Sequence, residues 1–232
     1  MHLLSELTDW ERMLKKMIWK QIGNISGKRI LDFGSGQGVT ANYFAENNDV
    51  VAVEPSAEML KDAWMDFKYE QVVGGIDELK RFENASFDMI ICHNVLEYID
   101  DKKQVICELS RVLKPGGILS IAKHNRAGRV MQMAVLLDDM DKAHDLLDGK
   151  NSAASKFGAI RYYEDEDIHK WCEELNIVNI YGIRIFWDLQ QNQEKHSRED
   201  WQDKMLQLEE RVSVIKEFVD IAFFHHLILR KV

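Results

Sequence analysis

Residues 30–40 read ILDFGSGQGVT, and the choice of fold turns on them. An apolar run of strand length stops at Gly34, Gly36 and Gly38, and a helical pattern begins directly after. A turn this tight needs residues without Cβ, both to reach positive φ and to let a ligand lie against the backbone. The helix that follows directs free N–H groups at the same spot, a seat for a carboxylate or phosphate. Twenty positions beyond Gly34, at the end of VVAVE, stands Glu54, where a carboxylate can accept from the two hydroxyls of a ribose. A dinucleotide fingerprint wants its third glycine at position 39, which is Val39 here; the spacing therefore points away from that ligand class.

The flanking sequence repeats the strand-and-helix alternation. VVAVE, QVV around Val72, DMIICH and ILSIAK are short β-branched runs, and helical patterns lie between them. Ser56 is expected to cap a helix carrying Met59, Leu60, Ala63 and Phe67, and Asp100 or Asp101 one carrying Val105, Ile106, Leu109 and Val112. Continuous apolar strands joined by helices imply a parallel sheet covered on both faces, a doubly wound α/β fold. After Lys123 the alternation lapses. Arg129 to Leu147 reads as one helix, followed by the polar stretch GKNSAASKFG, and residues 123–163 are expected to form a small helical cap inserted in a single domain, residues 1–232. Later come a helix with Ile168, Trp171, Cys172 and Leu175, a strand from Ile177 to Phe186, a long helix from Trp201 to Ile215 and a last strand, IAFFHHLILR.

Composition narrows the partners. Lysine and arginine number 30 against 39 acidic residues, a net charge of −9. No global cationic field draws in a polyanion, and binding to nucleic acid needs a local basic face. Cys92, Cys107 and Cys172 are far apart, with no Cys-x-x-Cys pair and no histidine cluster, which argues against both a disulfide framework and a metal site. Acidic residues at Glu6, Asp9 and Glu11 occupy the place of an export signal's apolar stretch, and the apolar run from Phe218 to Leu229 is broken by Asp220, His225 and His226. The expectation is a cytoplasmic protein with no membrane span.

The order and spacing of five motifs, ILDFGSGQG, VEPSAEML, GGID, FDMIICHNVLEYIDD and VLKPGGILSI, resemble the class I S-adenosylmethionine-dependent methyltransferases. The resemblance implies a seven-stranded, mostly parallel sheet with an antiparallel last strand, and S-adenosyl-L-methionine as cofactor. It assigns cofactor contacts to Asp32, Gly34, Ser35, Gly36, Gly38, Glu54, Pro55, Met59, Gly75, Ile76, Asp77 and His93. Met59 serves equally as adenine contact or core residue, and His93 equally as ligand contact or structural histidine. Residues past the fourth and fifth strands and on the cap should meet the methyl acceptor: His93, Asn94, Arg161 and Arg184 are the candidates for the catalytic centre. The two arginines either clamp an anion or pair with local carboxylates.

In the second half, Asn125 to Gly128, Gly182 to Asp188 and LEERV from Leu208 to Val212 are similar to segments of the bacterial tRNA 5-carboxymethoxyuridine methyltransferases. This implies a carboxylate acceptor on tRNA, with Lys123, Arg126, Arg129, Lys150, Lys156 and Arg161 as the phosphate-binding patch. Two alternatives stand beside it: methylation of a small acid or other metabolite, and a non-catalytic S-adenosylmethionine-binding scaffold.

Overall fold

The computed structural model describes residues 4–155 and 158–232. Its strands are β1 (Arg29–Phe33), β2 (Asp49–Glu54), β3 (Glu70–Val73), β4 (Phe87–His93), β5 (Leu113–His124), β6 (Ser152–Ser155), β7 (Gly158–Ile160), β8 (Leu175–Ile183) and β9 (Phe224–Lys231). Seven form one sheet in the order β3-β2-β1-β4-β5-β9-β8, while β6 and β7 make a separate hairpin. All neighbours in the main sheet are parallel except where β9 pairs antiparallel with β5 and β8. This is the doubly wound α/β sheet expected. The strand order reverses between β1 and β4, which opens a crevice at their carboxyl ends.

The helices are α1 (Asp9–Ile22), α2 (Val39–Ala45), α3 (Lys102–Val112), α4 (Arg126–Met131), α5 (Met140–Leu147), α6 (Asp167–Trp171), α7 (Gln193–His196), α8 (Glu199–Val212) and α9 (Lys216–Val219). Each sheet face carries its own core. One packs Leu31, Val53, Ile90 and Ile121 under α3 and α6; the other packs Ile30, Ala52, Met89 and Ile91 under α1, α2 and α8. The alternation of side chains along each strand sends successive residues to opposite layers. Asp101 caps α3, accepting from Gln104 N–H at 2.9 Å. Among the described residues no helix is long and apolar enough to cross a membrane.

Five elements differ from expectation. Beyond Ser56 there is only a short 3-10 turn, Met59–Asp62. Trp64 is drawn out of it because its N–H bonds Gln37 O at 2.9 Å and its carbonyl accepts Tyr69 Oη at 2.8 Å, so burial of the indole overrides helix propensity. The single helix expected from Arg129 to Leu147 is broken into α4, a π turn and α5; Asp138 takes φ 51° and Asp139 caps the new helix. Strand β8 starts already at Leu175 and ends at Ile183, and α8 ends at Val212. Strand β5 runs through His124, so the inserted segment begins there.

Helix α4 is seated by Gly128. A Cβ at this position would overlap the backbone of Ala222 and Phe223, atoms that cannot rotate aside. Gly128→Ala is expected to cost about 1–3 kcal/mol through overpacking. A chemical denaturation midpoint unchanged from wild type would show that the contact is loose.

Candidate active site

The glycine loop lies in the crevice. Gly34, Gly36 and Gly38 have φ of 77°, 58° and 71°, a region closed to most side chains. A Cβ on Gly34 would overlap Val95, and one on Gly38 the Tyr69 hydroxyl. Glu54, at the end of β2, is 6% exposed. Its carboxylate accepts Gly36 N–H and Ser56 N–H, each at 2.9 Å. These bonds offset the desolvation of the charge and leave one lone pair on each oxygen for a ligand.

Asp32, next to last in β1, is 2% exposed, with Oδ2 lacking a protein partner. Burial pushes its pKa up to about 6, against the pull of Lys15. Lys15 escaped the sequence reading, because on α1 it looks like a surface lysine between core positions Leu14 and Met17. Its ammonium instead reaches Thr40 Oγ1 at 2.7 Å. Burial holds its pKa below the ordinary lysine value, while Asp32 acts in the other direction. Ser35 Oγ, Asn94 Oδ1 and His93 Nδ1 are also buried without partners. Orphaned polar atoms are rare in finished interiors, and four at the carboxyl ends of β1 and β4 suit a polar ligand such as an amino acid with a ribose attached.

The remaining predicted cofactor contacts surround the loop unevenly. Met59 Cε comes within 3.2 Å of where a Gly36 Cβ would stand, so its side chain covers the loop. Gly75 and Ile76 lead from β3 into the 3-10 turn Ile76–Arg81. Asp77 is exposed and pairs with Lys80 at 2.6 Å, and Pro55 is exposed.

At the ends of β4 and β5, strand register sorts the candidates by face. His93 is opposite Ala122, and His124 lies two residues further along β5. Both rings are on the α1 side. Asn94 follows with φ 56°, its N–H on Ala122 O at 2.8 Å. Arg161 is not gathered here: it is 41% exposed and bonds Asp100 at 2.9 Å.

Arg184 sits in a second, aromatic-walled cluster. It is 8% exposed, has φ 60°, and its guanidinium lies 4.9 Å from the rings of Trp10 and Phe223 and 5.4 Å from Phe224. It pairs with Asp188. Arg129 approaches from α4, its guanidinium 5.8 Å from Phe223. Burial, then Arg129 and Arg184, push the His124 pKa down to about 3. Two cations and one carboxylate leave a single positive charge among low-dielectric walls.

The three late motifs converge on this cluster. Glu209 of LEERV is fully buried and accepts Ile185, Phe186 and Trp187 N–H at 2.8, 2.7 and 2.9 Å. It thereby holds the turn that carries Arg184 in its positive φ. Asn125 donates to Asp220 O at 3.0 Å and Ala222 O at 2.8 Å, and Gly128 packs on the same segment. Motifs that begin at Asn125, Gly182 and Leu208 are thus parts of one clamp around Arg184.

The basic patch does not assemble as expected. Lys123 is 3% exposed, on the opposite sheet face, and bonds Asp165 at 2.7 Å. Arg126 donates to the carbonyls of Leu146 and Lys150 at 3.2 and 3.3 Å, and Lys150 pairs with Asp145. Lys156 lies outside the described residues. An odd position on a strand with one buried face per parity decides Lys123, which the charge count could not register.

Comparison with known proteins matches these features. Residues 31–121 match the methyltransferase-domain family. The tRNA 5-carboxymethoxyuridine methyltransferase of Escherichia coli strain K12 is 25% identical, the alignment covering 95% of this chain and 88% of that protein. A ubiquinone biosynthesis O-methyltransferase of Xanthomonas oryzae pv. oryzae is 29% identical over 49% of this chain and 50% of its own length. The crystal structure of an S-adenosylmethionine-dependent methyltransferase from Mesorhizobium loti superposes with TM-score 0.59 at 15% identity, covering 99% of this chain and 100% of that one, a likeness of fold. With the glycine loop, its acidic partner and the sheet order in place, the chain is an S-adenosylmethionine-dependent methyltransferase.

Proposed function

We propose that the enzyme methylates a carboxylate, that of a 5-carboxymethoxyuridine in tRNA, working in the cytoplasm. The observation that carries the carboxylate is the pair of guanidinium groups, Arg129 and Arg184, held beside His124 in an aromatic pocket with one net positive charge. Arginine forks suit a planar carboxylate. The tRNA part rests on the relative aligned over 95% of the chain.

Bound S-adenosylmethionine supplies an activated methyl group on a sulfonium. In this reading Asp32 takes the ligand's ammonium and Lys15 its carboxylate, while Gly34, Ser35, Gly36 and Gly38, whose N–H groups bond Val53, Ser35 and Glu54 within the protein, shape the turn against which the ligand lies. Glu54 holds the ribose hydroxyls, and Met59 with Pro55, Gly75, Ile76 and Asp77 borders the adenine. His93 and Asn94 line the transfer point. Residues after His124 up to Tyr163 form the cap. A carboxylate acceptor needs no general base, so alignment and exclusion of water are the protein's task.

A labelled-methyl assay on total tRNA and on a panel of small carboxylic acids tests this. Label in tRNA that mild alkali releases is the expected result, and label confined to small acids overturns the tRNA part. The second reading, a small acid as acceptor, is favoured by the paired or buried state of Lys123, Lys150 and Arg161, which leaves little positive surface for phosphates.

The Asp32 assignment carries a pH dependence. Only the ionised carboxylate pairs with an ammonium, and the free protein takes up a proton as the pH falls through about 6. Cofactor affinity is expected to be flat above that point and to fall by up to about tenfold per pH unit below it. Calorimetry should show weaker binding by Asp32→Asn without that slope. An unchanged slope in the variant would remove Asp32 from the site.

A further inference from the structure

A chain of buried polar groups runs from the crevice along the α1 face of the sheet to α1 itself. His93 Nε2 is 2.8 Å from Ser120 Oγ, Ser120 Oγ is 2.7 Å from His226 Nε2, and His226 Nδ1 is 2.7 Å from Gln21 Oε1. Ser120 and His226 have no exposed surface, and the two imidazoles meet edge to face at 5.6 Å. Register explains how they meet. Ala122 is opposite both His93 and His226, and Ser120 is opposite Ile91 and Ile228. All share the α1 face, and the methyl of Ala122 leaves room for a ring on either side. A serine hydroxyl deep in a sheet, bonded to two histidines, is expensive unless each bond is made.

The direction of the bonds follows from the ends of the chain. With the Gln21 amide assigned so that Oε1 faces His226 and Nε2 is buried without a partner, the facing oxygen accepts only, so His226 carries its proton on Nδ1 and leaves Nε2 bare. Ser120 then donates to His226 and accepts from His93 Nε2–H. What remains is His93 Nδ1, bare, buried and without a protein partner. Ser120 lies one pair back toward the amino end of β4, so Nε2 is turned into the sheet and Nδ1 toward the carboxyl ends. The Lys15 ammonium is near enough to act on His93, and a cation favours a bare nitrogen over an N–H. Burial first, then His226 and Lys15, hold the ring neutral.

We propose that Ser120, His226 and Gln21 are positioning residues that fix His93 as its Nε2–H tautomer. The bare Nδ1 then accepts from a hydrogen-bond donor of the bound ligand and repels an anion at the end of β4. Taken with the carboxylate reading above, this sends the anionic end of the acceptor along β5 toward Arg129 and Arg184, away from His93. None of the transfer chemistry touches His226, whose effect is exerted through Ser120.

Two-bond 1H–15N correlation spectra of the labelled protein read the tautomers directly, with the His93 signals identified by their loss in His93→Asn. The expected wild-type result is a proton on His93 Nε2 and on His226 Nδ1. In Ser120→Ala the His93 pattern should move to the averaged one of a free neutral imidazole, and Ser120→Thr, which keeps the hydroxyl, should restore it. Should Ser120→Ala not fold, Gln21→Met removes the acceptor at the α1 end and should release His226 from its fixed form. A proton on His93 Nδ1 in the wild type, or tautomers unchanged in the folded Ser120→Ala or Gln21→Met protein, overturns the proposal. The spectra need no acceptor, so their outcome is separate from that of the methyl-transfer assay.

Discussion

Glu209→Ala is expected to lower the unfolding free energy by about 3–5 kcal/mol. The carboxylate is fully buried and is the acceptor for three consecutive backbone N–H groups, those of Ile185, Phe186 and Trp187. Truncation strands all three in a space too closed for easy hydration, and each buried unpaired donor costs about 1–3 kcal/mol. Burial pushes the Glu209 pKa up while the three bonds hold it down, so the site has little else to offer the charge. The damage should centre on the turn at Arg184, whose φ of 60° persists only while its surroundings hold it. Urea denaturation of Glu209→Ala beside Glu209→Gln, which keeps one acceptor oxygen, measures the effect. A loss under about 1 kcal/mol in the alanine variant would mean that the turn stands by itself.

Glu54→Ala should weaken binding of S-adenosylmethionine and of its demethylated product by about 100-fold or more. Two charge-assisted bonds to ribose hydroxyls are at stake, each about 1.5–3 kcal/mol, and 1.4 kcal/mol is a factor of ten. The same carboxylate ties Gly36 and Ser56 N–H, so the loss has a second source in a looser glycine loop. Glu54→Gln retains an amide oxygen on one of these bonds and should fall between the two, near tenfold. Calorimetric titration decides: wild-type affinity in Glu54→Ala sinks the ribose assignment, provided the variant melts as a cooperative unit.

The glycine loop and its strand were legible because both depend on local facts. Gly34, Gly36 and Gly38 are required by positive φ, and a Cβ-free turn after an apolar run is visible without any tertiary partner. The cap of α3 was legible to within one residue, Asp100 or Asp101, for the same reason, and Asp101 makes the bond. The helix after Ser56 was not, since Trp64 leaves it to bond Gln37 and Tyr69. Lys15 and Lys123 show the matching failure for charge. A lysine in an amphipathic helix or at a strand end reads as solvated, and only the element packed over it reveals a buried partner, Thr40 for one and Asp165 for the other.

By itself the sequence determined the α/β class and the glycine turn with its acidic partner, because periodicity and glycine spacing are written within a few residues, and the resemblance of its motifs implied the seven-stranded sheet. Tertiary structure alone decided the cluster around Arg184. There Asn125, Arg184 and Glu209 come from separate elements, and their roles exist only once β5, β8 and α8 meet. The same is true of the His93–Ser120–His226 chain, which requires the register of three strands. Charge followed that division: a net −9 is a property of the whole chain, whereas the one positive charge left between Arg129, Arg184 and Asp188 arises from burial and pairing, which depend on where each side chain is placed.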